Sequence, residues 1–284
     1  MQLEKYQFRK ALRPFSFSVA LVVCLTGIVA AYSDGYSNHL LASLIVIAGL
    51  LLQAGVNLIN DYSDLSLLVG EQYIEVRGLI RRNFQYGLIC FLLAAVLGIY
   101  LIYSSGLLLL LFAVIGILGA LGYTLEPINY KRRGLAVFLV FWLMGVLMVS
   151  GAYYALSAQI TAEILLISIP VSLYTSLLLL SNELRDFEDD SAHGIKTLTV
   201  RIGFKNALLT YYICLAAIFG IALFFSFTGL IPQAWLVLLG LPVALLPLRH
   251  LHRPAVQRCQ LTPATGKAFL IFGLLYCFSI NASL

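Results

Sequence analysis

Charged side chains are scarce in this sequence. Asp, Glu, Lys and Arg together make up 11% of its 284 residues, whereas a soluble domain of this size carries about 25%. Apolar residues account for 61% of the chain, and the mean hydropathy is +0.95. This composition excludes a soluble globular domain and predicts an integral membrane protein that contacts the lipid bilayer.

Cysteine is also sparse, and its spacing excludes two kinds of structural site. The five cysteines match neither a zinc site nor a disulfide framework. Four of them (Cys24, Cys90, Cys214 and Cys277) lie in apolar runs and are expected to be buried as small apolar side chains. The sequence shows no Ser/His/Asp or Cys/His arrangement of the kind used in nucleophilic catalysis. The net charge of +5 gives no indication of a nucleic-acid partner.

In place of charge, the sequence has a series of long apolar runs. Each is close to the roughly 20 residues that cross a bilayer as a helix, and we expect one membrane-embedded domain over residues 1–284. The first run follows a basic segment but lacks a clear small-residue cleavage site, so it is interpreted as a helix rather than a signal peptide. The nine runs cover about 14–33, 38–59, 84–103, 106–123, 135–156, 163–181, 206–227, 229–248 and 267–284.

The basic residues test this division of the chain. Nine helices place the N-terminal segment and the loops near 60–83, 124–134, 182–205 and 249–266 on one side of the membrane. All 18 Lys and Arg residues fall on that side or at the helix ends next to it, and the opposite side has none. Since basic loops stay in the cytoplasm, we expect an inner (plasma) membrane protein with its N-terminus in the cytoplasm and its C-terminus outside.

Two acidic stretches interrupt the basic side, each at the inner end of a long apolar helix. The first is VNLINDYSD after the second helix, and the second is SNELRDFEDD after the sixth. Residues four apart share one face of a helix, and like charges at that spacing repel. A bound cation therefore explains these stretches better than a solvated loop does. The residues at this spacing are Asn57 with Asp61, Asn60 with Asp64, and Asn182 with Asp186 and Asp190.

The two acidic stretches are related by position. Asn60 and Asn182 are 122 residues apart, and four predicted helices separate them. The recurrence of Asn-x-x-x-Asp in the same orientation indicates a parallel internal repeat. We therefore expect an all-α integral membrane fold with nine transmembrane helices around a central cavity, built from two four-helix halves plus a final helix. The acidic ends would face each other across that cavity.

Oxygen-only ligands of this kind suit a hard divalent cation. Mg²⁺ is commonly held by one or two carboxylates and completes its shell with water and substrate phosphate. The two stretches thus predict Mg²⁺ ions that bind a diphosphate. Three nearby carboxylates fit a plainer role: Glu75, Glu183 and Glu188 are interpreted as solvated residues or as partners of neighbouring arginines.

A diphosphate also needs positive partners, and the inner loops contain them. The positive-inside bias alone would explain most of these residues. Lys131 is favoured as a ligand because it lies near Tyr123 and Tyr130 in a short loop. The candidate substrate contacts are Arg13, Asn57, Arg77, Tyr123, Lys131, Arg133, Lys196 and Arg201.

Several stretches resemble one known family. NLINDYSD, YKRRGL and NELRDFEDDSAHGIKTLTVRIG are similar to the UbiA superfamily of intramembrane aromatic prenyltransferases. The signatures of that family are an Asn-Asp-x-x-Asp motif after helix two and an Asp-x-x-x-Asp motif after helix six. The second motif most resembles the branch that prenylates 1,4-dihydroxy-2-naphthoate in menaquinone synthesis, and ALRPFSF at residues 11–17 resembles the opening of helix one in that branch.

The resemblance implies a reaction. An Mg²⁺-dependent enzyme would transfer a polyprenyl group from polyprenyl diphosphate to an aromatic acceptor. The C1–O bond breaks, the aromatic ring attacks the allylic cation, and the ring then loses a proton; the naphthoate branch also loses CO₂. By this resemblance the metal ligands are Asn60, Asp61, Asp64, Asn182, Asp186 and Asp190, and the catalytic residues are Asp64, Asp186 and Lys131.

One position departs from the family pattern, and other functions stay open. Leu68 stands where the first motif would have a third carboxylate, and only Glu71 and Glu75 could replace it. The acceptor could instead be 4-hydroxybenzoate, homogentisate or a glycerophosphate lipid. A transporter or a non-catalytic binding protein is the alternative of another class, although transporter acids usually lie near mid-membrane.

Overall fold

The computed structural model describes residues 2–62, 65, 68–124 and 127–281. It is 83% helical, with no strand among the described residues, so the expected all-α fold is confirmed. The long helical segments of the described chain are α1 (Phe17–Ser33), α2 (His39–Asn60), α3 (Ile74–Ser105), α4 (Leu108–Thr124), α5 (Ala136–Ser157), α6 (Ala162–Arg185), α7 (Phe204–Thr228), α8 (Ala234–Leu251) and α9 (Leu261–Asn281).

Eight of these segments, taken with their flanking turns, are long and apolar enough to cross a membrane within the described chain. The exception is α4, whose apolar stretch Leu108–Tyr123 is shorter. Its 17 residues rise about 25 Å, less than the roughly 30 Å of a hydrocarbon core. The multi-pass membrane fold is therefore confirmed, and the count of nine crossings stays a prediction.

Two helices differ from the sequence prediction at their ends. Helix α3 begins at Ile74 rather than near 84, because the helix continues through a polar segment that a hydropathy pattern leaves out. Helix α8 is a 3₁₀ segment, Ala234–Gly240, followed by two short α-helical turns. Pro242 and Pro247 lack the N–H group that a continuous α-helix needs at their positions.

Small residues bring the helices into close contact. A Cβ atom at Gly27 of α1 would collide with the Val149 carbonyl of α5, and one at Gly145 of α5 would collide with Ser172 of α6. Such close backbone approach is the usual basis of helix association in a bilayer. Helix α5 is also locally π-helical over Phe141–Leu147. These contacts fix α6 against the first half of the fold through α5.

Helix α6 lies at the centre of the bundle. In an apolar stretch of 18 residues within α6, 67% of the residues are buried, whereas the corresponding share for α3 is 17%. It packs against α5, α7 and α9, and Tyr174 stacks on Phe269 of α9 with ring centroids 5.1 Å apart. The pairs α2–α3 and α6–α7 pack together at corresponding places of the predicted repeat. The second acidic stretch is therefore attached to a firmly supported helix.

A cavity of about 240 Å³ opens at the other end of the bundle. Asp34, Tyr153 and Glu163 are among its lining residues, and Tyr153 Oη donates to Asp34 Oδ2 at 2.5 Å. These residues follow α1, end α5 and begin α6, so the cavity lies opposite the two acidic stretches and is separate from the predicted site.

Candidate active site

Arg13 binds the first acidic stretch. Its Nη2 atom donates to Asp61 Oδ1 at 2.7 Å, and Asp61 is buried. When the Asn60 amide oxygen is turned toward Arg13, it accepts from Nη1 and Nη2 at 2.6 and 2.8 Å. Hydrogen bonds with an ionised partner are stronger than neutral ones. One guanidinium therefore joins two of the residues that the sequence proposed as metal ligands.

The turn that carries Arg13 is held in an uncommon conformation. Arg13 has a positive φ of 49°, which residues other than glycine rarely adopt. Asn57 supports the turn, because its Nδ2 atom donates to Leu12 O and to Ser16 Oγ, each at 2.7 Å. Asn57 was proposed as a substrate contact. In the structure it holds the segment that aims Arg13 at the end of α2.

The rest of the first motif is described only in part. Asp64 lies outside the described residues, so its roles as metal ligand and catalytic residue stay predictions. Leu68 is buried in a small cluster with Tyr6, Val76 and Ile80. A carboxylate at that place would be desolvated among apolar side chains. At the position where this chain departs from the family pattern, Leu68 therefore packs in an apolar cluster.

No carboxylate described near α3 replaces the missing acid inside the site. Glu71 and Glu75 are both exposed, and for Glu75 this confirms the expectation of a solvated residue. Arg77, a proposed substrate contact, donates through Nη2 to Gly70 O at 3.4 Å. It therefore lies at the start of α3, against the loop that follows the first motif.

The second acidic stretch bends at Asp186. Helix α6 ends at Arg185, and a short helix, Phe187–Ala192, follows. Backbone bonds continue through the bend: Asp186 N donates to Asn182 O at 3.0 Å, and Asp190 N donates to Asp186 O at 2.9 Å. The three proposed ligands therefore keep their spacing of one helical turn.

The side chains of this stretch have different partners. Arg185 donates to both oxygens of Asp186, at 2.7 and 2.6 Å. Asp190 is buried and hydrogen-bonds Thr197. Asn182 Oδ1 is buried without a hydrogen-bond partner among the described residues. Because buried polar atoms are normally satisfied, Asn182 Oδ1 is the atom here that a bound cation or donor would complete.

Asp190 is electrostatically unfavourable in its ionised form. Burial raises its pKa above the ordinary aspartate value, and the carboxylates of Asp186 and Asp189 raise it further. Lys131 and the hydrogen bond with Thr197 act in the opposite direction without cancelling the effect. The second stretch therefore carries more negative charge than its surroundings balance, which favours binding of a cation.

Glu183 contradicts its expected solvated role. The residue is 4% exposed, and its Oε2 atom accepts from Thr199 N at 3.1 Å. Thr199 Oγ1 also donates to Glu183 O at 3.3 Å. The sequence misled because a carboxylate beside a charged loop resembles a surface residue. The threonine-rich KTLTV segment was a signal of a buried polar partner.

Glu188 has the arginine partner that was expected for it. The partner is Arg258, which forms an ion pair with Glu188 and is only 1% exposed. Arg258 Nη1 also donates to Leu184 O at 2.8 Å, and its guanidinium lies over the Phe204 ring, 4.6 Å from the centroid. Arg258 therefore secures the end of α6. Sequence reasoning missed it because basic residues of this loop all fit the positive-inside bias.

The loop after α4 places a cation beside the second stretch. The rings of Tyr123 and Tyr130 pack edge to face, 5.4 Å apart, and Lys131 N donates to Tyr123 O at 3.2 Å. Lys131 is close enough to interact electrostatically with Glu183 and Asp190. Burial raises the pKa of Tyr130 to about 12, so its hydroxyl is protonated at neutral pH.

Three other proposed diphosphate contacts lie at exposed positions. Arg133 donates to Pro127 O within its own loop. Arg201 Nε donates to Lys196 O at 2.9 Å, and Arg201 Nη2 lies 3.5 Å from Arg132 O. Arg201 thus connects the loop after α4 to the segment after the second stretch. Arg133, Lys196 and Arg201 surround the site at its aqueous rim rather than lining its buried part.

Tyr123 lies near Arg13 and near the second acidic stretch. It interacts electrostatically with Arg13, which binds the first stretch, and with Glu183 and Asp190 of the second. The described residues contain no group of three or more His, Cys, Asp or Glu side chains close enough to hold a metal. The oxygen donors of each stretch are nevertheless carboxylates and carboxamides, the set that suits Mg²⁺.

Several known proteins are similar to this chain in sequence. The sequence model of the UbiA prenyltransferase family matches residues 20–272. The UbiA prenyltransferase domain-containing protein 1 of Rattus norvegicus is 31% identical over 95% of this chain and 82% of its own length. The 1,4-dihydroxy-2-naphthoate octaprenyltransferase of Escherichia coli (strain K12) is 30% identical over 96% of this chain and 94% of its own.

A solved structure agrees at the level of the fold. It is a UbiA homolog from Archaeoglobus fulgidus bound to GPP and Mg²⁺, with a TM-score of 0.58 and 15% identity, covering 94% of this chain and 100% of that one. The family match spans most of the sequence, and both relatives align over nearly all of it. The chain therefore belongs to the UbiA prenyltransferase family and is a multi-pass membrane prenyltransferase.

Proposed function

We propose that this enzyme transfers a polyprenyl group from polyprenyl diphosphate to 1,4-dihydroxy-2-naphthoate in menaquinone synthesis, and that residues 1–284 act as one domain. The observation that carries the proposal is that Arg13, which binds Asp61 of the first stretch, and Asp190 of the second stretch both interact electrostatically with Tyr123. The Escherichia coli relative, which aligns over nearly the whole chain, is named for octaprenyl transfer to that naphthoate. That alignment supports the choice of acceptor.

Mg²⁺ fits the donor atoms at both stretches. They are carboxylate and carboxamide oxygens, and Asn182 Oδ1 is buried without a partner among the described residues. The Archaeoglobus fulgidus homolog binds GPP and Mg²⁺. Bound Mg²⁺ would neutralise the negative charge that develops on the departing diphosphate. The residues proposed to hold it are Asn60, Asp61 and Asp64 on one side and Asn182, Asp186 and Asp190 on the other.

The chain's own residues bind and orient the donor substrate. Lys131 lies beside Asp190 and supplies a positive charge for the diphosphate. Arg13, which precedes α1 and binds the end of α2 through Asp61, supplies a second positive charge. The packed rings of Tyr123 and Tyr130 can stabilise the allylic cation through cation–π contact. The exposed cations at the rim attract the anionic substrate from the aqueous side.

The same proposal includes a location and an orientation. The 18 basic residues lie on one side of a nine-helix arrangement, so we propose an inner (plasma) membrane enzyme whose site faces the cytoplasm. The polyprenyl tail would then lie among apolar helices that contact lipid, while the diphosphate stays at the polar end of the bundle.

The proposal is tested with purified protein in detergent, a polyprenyl diphosphate and Mg²⁺. The acceptors are 1,4-dihydroxy-2-naphthoate, 4-hydroxybenzoate, homogentisate and a glycerophosphate lipid, and both diphosphate release and product mass are measured. We expect the naphthoate to gain the prenyl group and lose CO₂. Preference for another acceptor would reassign the substrate, and absence of diphosphate release with all of them would contradict enzymatic transfer.

A variant pair connects this activity to the site. Asp186→Ala should lower turnover by about 100- to 1000-fold, the effect of removing one group that stabilises a developing anion. The control is Glu163→Ala, which changes an exposed carboxylate at the opposite end of α6 and should leave turnover unchanged. Equal activity of the two variants would contradict the role of the second stretch.

A further inference from the structure

Glu183 is a buried carboxylate that the transfer chemistry proposed above does not use. Its Oε2 atom accepts from Thr199 N at 3.1 Å. Its Oε1 atom is buried and has no hydrogen-bond partner among the described residues. The backbone N–H of Leu198 also interacts with this carboxylate, but a buried acceptor oxygen without a donor of its own still costs free energy. The second oxygen therefore indicates a ligand.

The position of Glu183 places this oxygen at the active site. The bonded oxygen is turned toward Thr199 in the segment that follows the second stretch. The other polar groups that interact electrostatically with Glu183 are Lys131, Asp190 and Tyr123. They come from the loop after α4, the short helix after α6 and the end of α4. Glu183 therefore lies within electrostatic reach of the loop after α4 and of Asp190 in the second stretch.

The chemistry of the site narrows the donor to a neutral group. A diphosphate offers only acceptor oxygens and would repel the carboxylate. The metal ions proposed for this site are assigned to Asn182, Asp186 and Asp190, whose spacing of one helical turn does not include Glu183. Lys131 is within electrostatic reach, but it is shared with Asp190 and is needed for the diphosphate. A ring hydroxyl of the aromatic acceptor satisfies the oxygen, because it donates a hydrogen bond from a neutral O–H group.

We propose that Glu183 Oε1 accepts a hydrogen bond from a ring hydroxyl of the aromatic acceptor. This inference rests on the proposed function and adds to it a residue that recognises the acceptor. The bond orients the ring and makes it more electron-rich, which favours attack on the allylic cation. It also selects hydroxylated rings over their methyl ethers, because an ether leaves the carboxylate oxygen without a donor.

The Glu183→Gln substitution distinguishes the roles of the two oxygens of this carboxylate. Thr199 N needs an acceptor, so the Gln carbonyl oxygen takes the place of Oε2, and the NH₂ group takes the place of Oε1. The bond to Thr199 is kept while the acceptor facing the substrate becomes a donor. The matched control is Glu163→Gln, the same substitution at an exposed position at the opposite end of α6.

The experiment measures KM for 1,4-dihydroxy-2-naphthoate, for each of its monomethyl ethers and for the polyprenyl diphosphate, in the wild type and both variants. We expect Glu183→Gln to raise the KM of the dihydroxy acceptor by about tenfold or more, while the KM of the diphosphate stays within about twofold. In the wild type, one of the ethers should have a KM about tenfold higher than that of the dihydroxy acceptor. In Glu183→Gln this difference in KM should disappear. The control should match the wild type.

Other outcomes overturn the inference in distinguishable ways. An unchanged acceptor KM in Glu183→Gln overturns it while prenyl transfer stands. A rise in KM for both substrates together identifies a structural role and also overturns it. If the wild type yields no prenylated naphthoate, the proposed function is wrong, and the inference about Glu183 is then tested by binding of the acceptor. A rise in thermal midpoint with the dihydroxy acceptor that is lost in Glu183→Gln supports it, and the absence of any such difference overturns it.

Discussion

Arg13 Nη2 and Asp61 Oδ1 lie 2.7 Å apart although 48 positions separate the two residues in sequence. The ion pair connects the turn before α1 to the end of α2, and its carboxylate is almost fully buried. A positive charge therefore stands where the first acidic stretch is proposed to meet a metal ion and a diphosphate. This part of the site is partly neutralised before any ligand binds.

Arg13→Ala should destabilise the metal-free protein. Loss of the charged hydrogen bonds to Asp61 and Asn60 should lower the free energy of unfolding by about 2 kcal/mol, and added Mg²⁺ should recover part of the loss. Thermal or denaturant unfolding in detergent measures the difference. The control is Arg9→Ala, which removes an exposed guanidinium from the same segment. Equal stability of the two variants would show that the pair does not support the fold.

Asp190→Asn should have the opposite effect on stability. Because burial raises the Asp190 pKa, the folded state binds this proton more tightly than the unfolded state does. The penalty is therefore absent below the ordinary carboxyl pKa, grows as the pH rises from that value to the raised one, and is fully present above it. The variant should unfold at a higher temperature than the wild type at neutral pH without metal.

Two controls accompany this comparison of midpoints. The advantage of Asp190→Asn should shrink as the pH is lowered, because protonation then neutralises Asp190 in the wild type. Its gain from Mg²⁺ should also be smaller. Asp189→Asn changes a neighbouring carboxylate that is exposed, so it should shift the midpoint less. A lower midpoint for Asp190→Asn at neutral pH would contradict the charge imbalance.

Arg258→Met should loosen the end of α6. Arg258 is buried, pairs with Glu188 and donates to Leu184 O. Its loss should lower the free energy of unfolding by about 2–3 kcal/mol, the usual contribution of hydrogen bonds with a charged partner. Arg253→Met changes an exposed arginine in the same loop and serves as control. A stability of Arg258→Met equal to that of the control would mean that the pair is dispensable.

The main helices and both acidic stretches could be predicted because each depends on local pattern. Apolar runs of bilayer length reveal helices, and residues four apart on a helix share a face. The break of α8 was less predictable, since Pro242 and Pro247 are tolerated in some membrane helices. Helix α3 extends past its apolar run because helix formation does not require apolar residues.

Partnerships between distant residues could not be predicted in the same way. Arg258 meets Leu184 across 74 positions, and nothing in its local sequence distinguishes it from the other basic loop residues. The burial of Glu183 depends on Thr199 folding back over the end of α6. Leu68 was recognised as a departure, but its reason is the cluster around Tyr6, which only the fold brings together.

Fusion of a compartment-sensitive reporter to each end of the chain tests the number of crossings. Helix α4 is short for a bilayer, yet the basic residues fall on one side only if it crosses. We expect the N-terminal fusion in the cytoplasm and the C-terminal fusion outside. Both ends in one compartment would show an even number of crossings and would remove α4 from the membrane-spanning set.

The two acidic stretches are proposed to bind Mg²⁺ and a diphosphate together. The most direct test is the thermal midpoint of the purified protein in detergent, measured alone, with Mg²⁺, with a non-reactive thio-analogue of polyprenyl diphosphate, and with both. A ligand at a hundredfold excess over its Kd stabilises the folded state by about 2.7 kcal/mol. We predict a rise with Mg²⁺, a larger rise with both, and little change with the analogue alone, which would meet carboxylates without a bridging cation. A midpoint that does not respond to Mg²⁺, with or without the analogue, would contradict the claim.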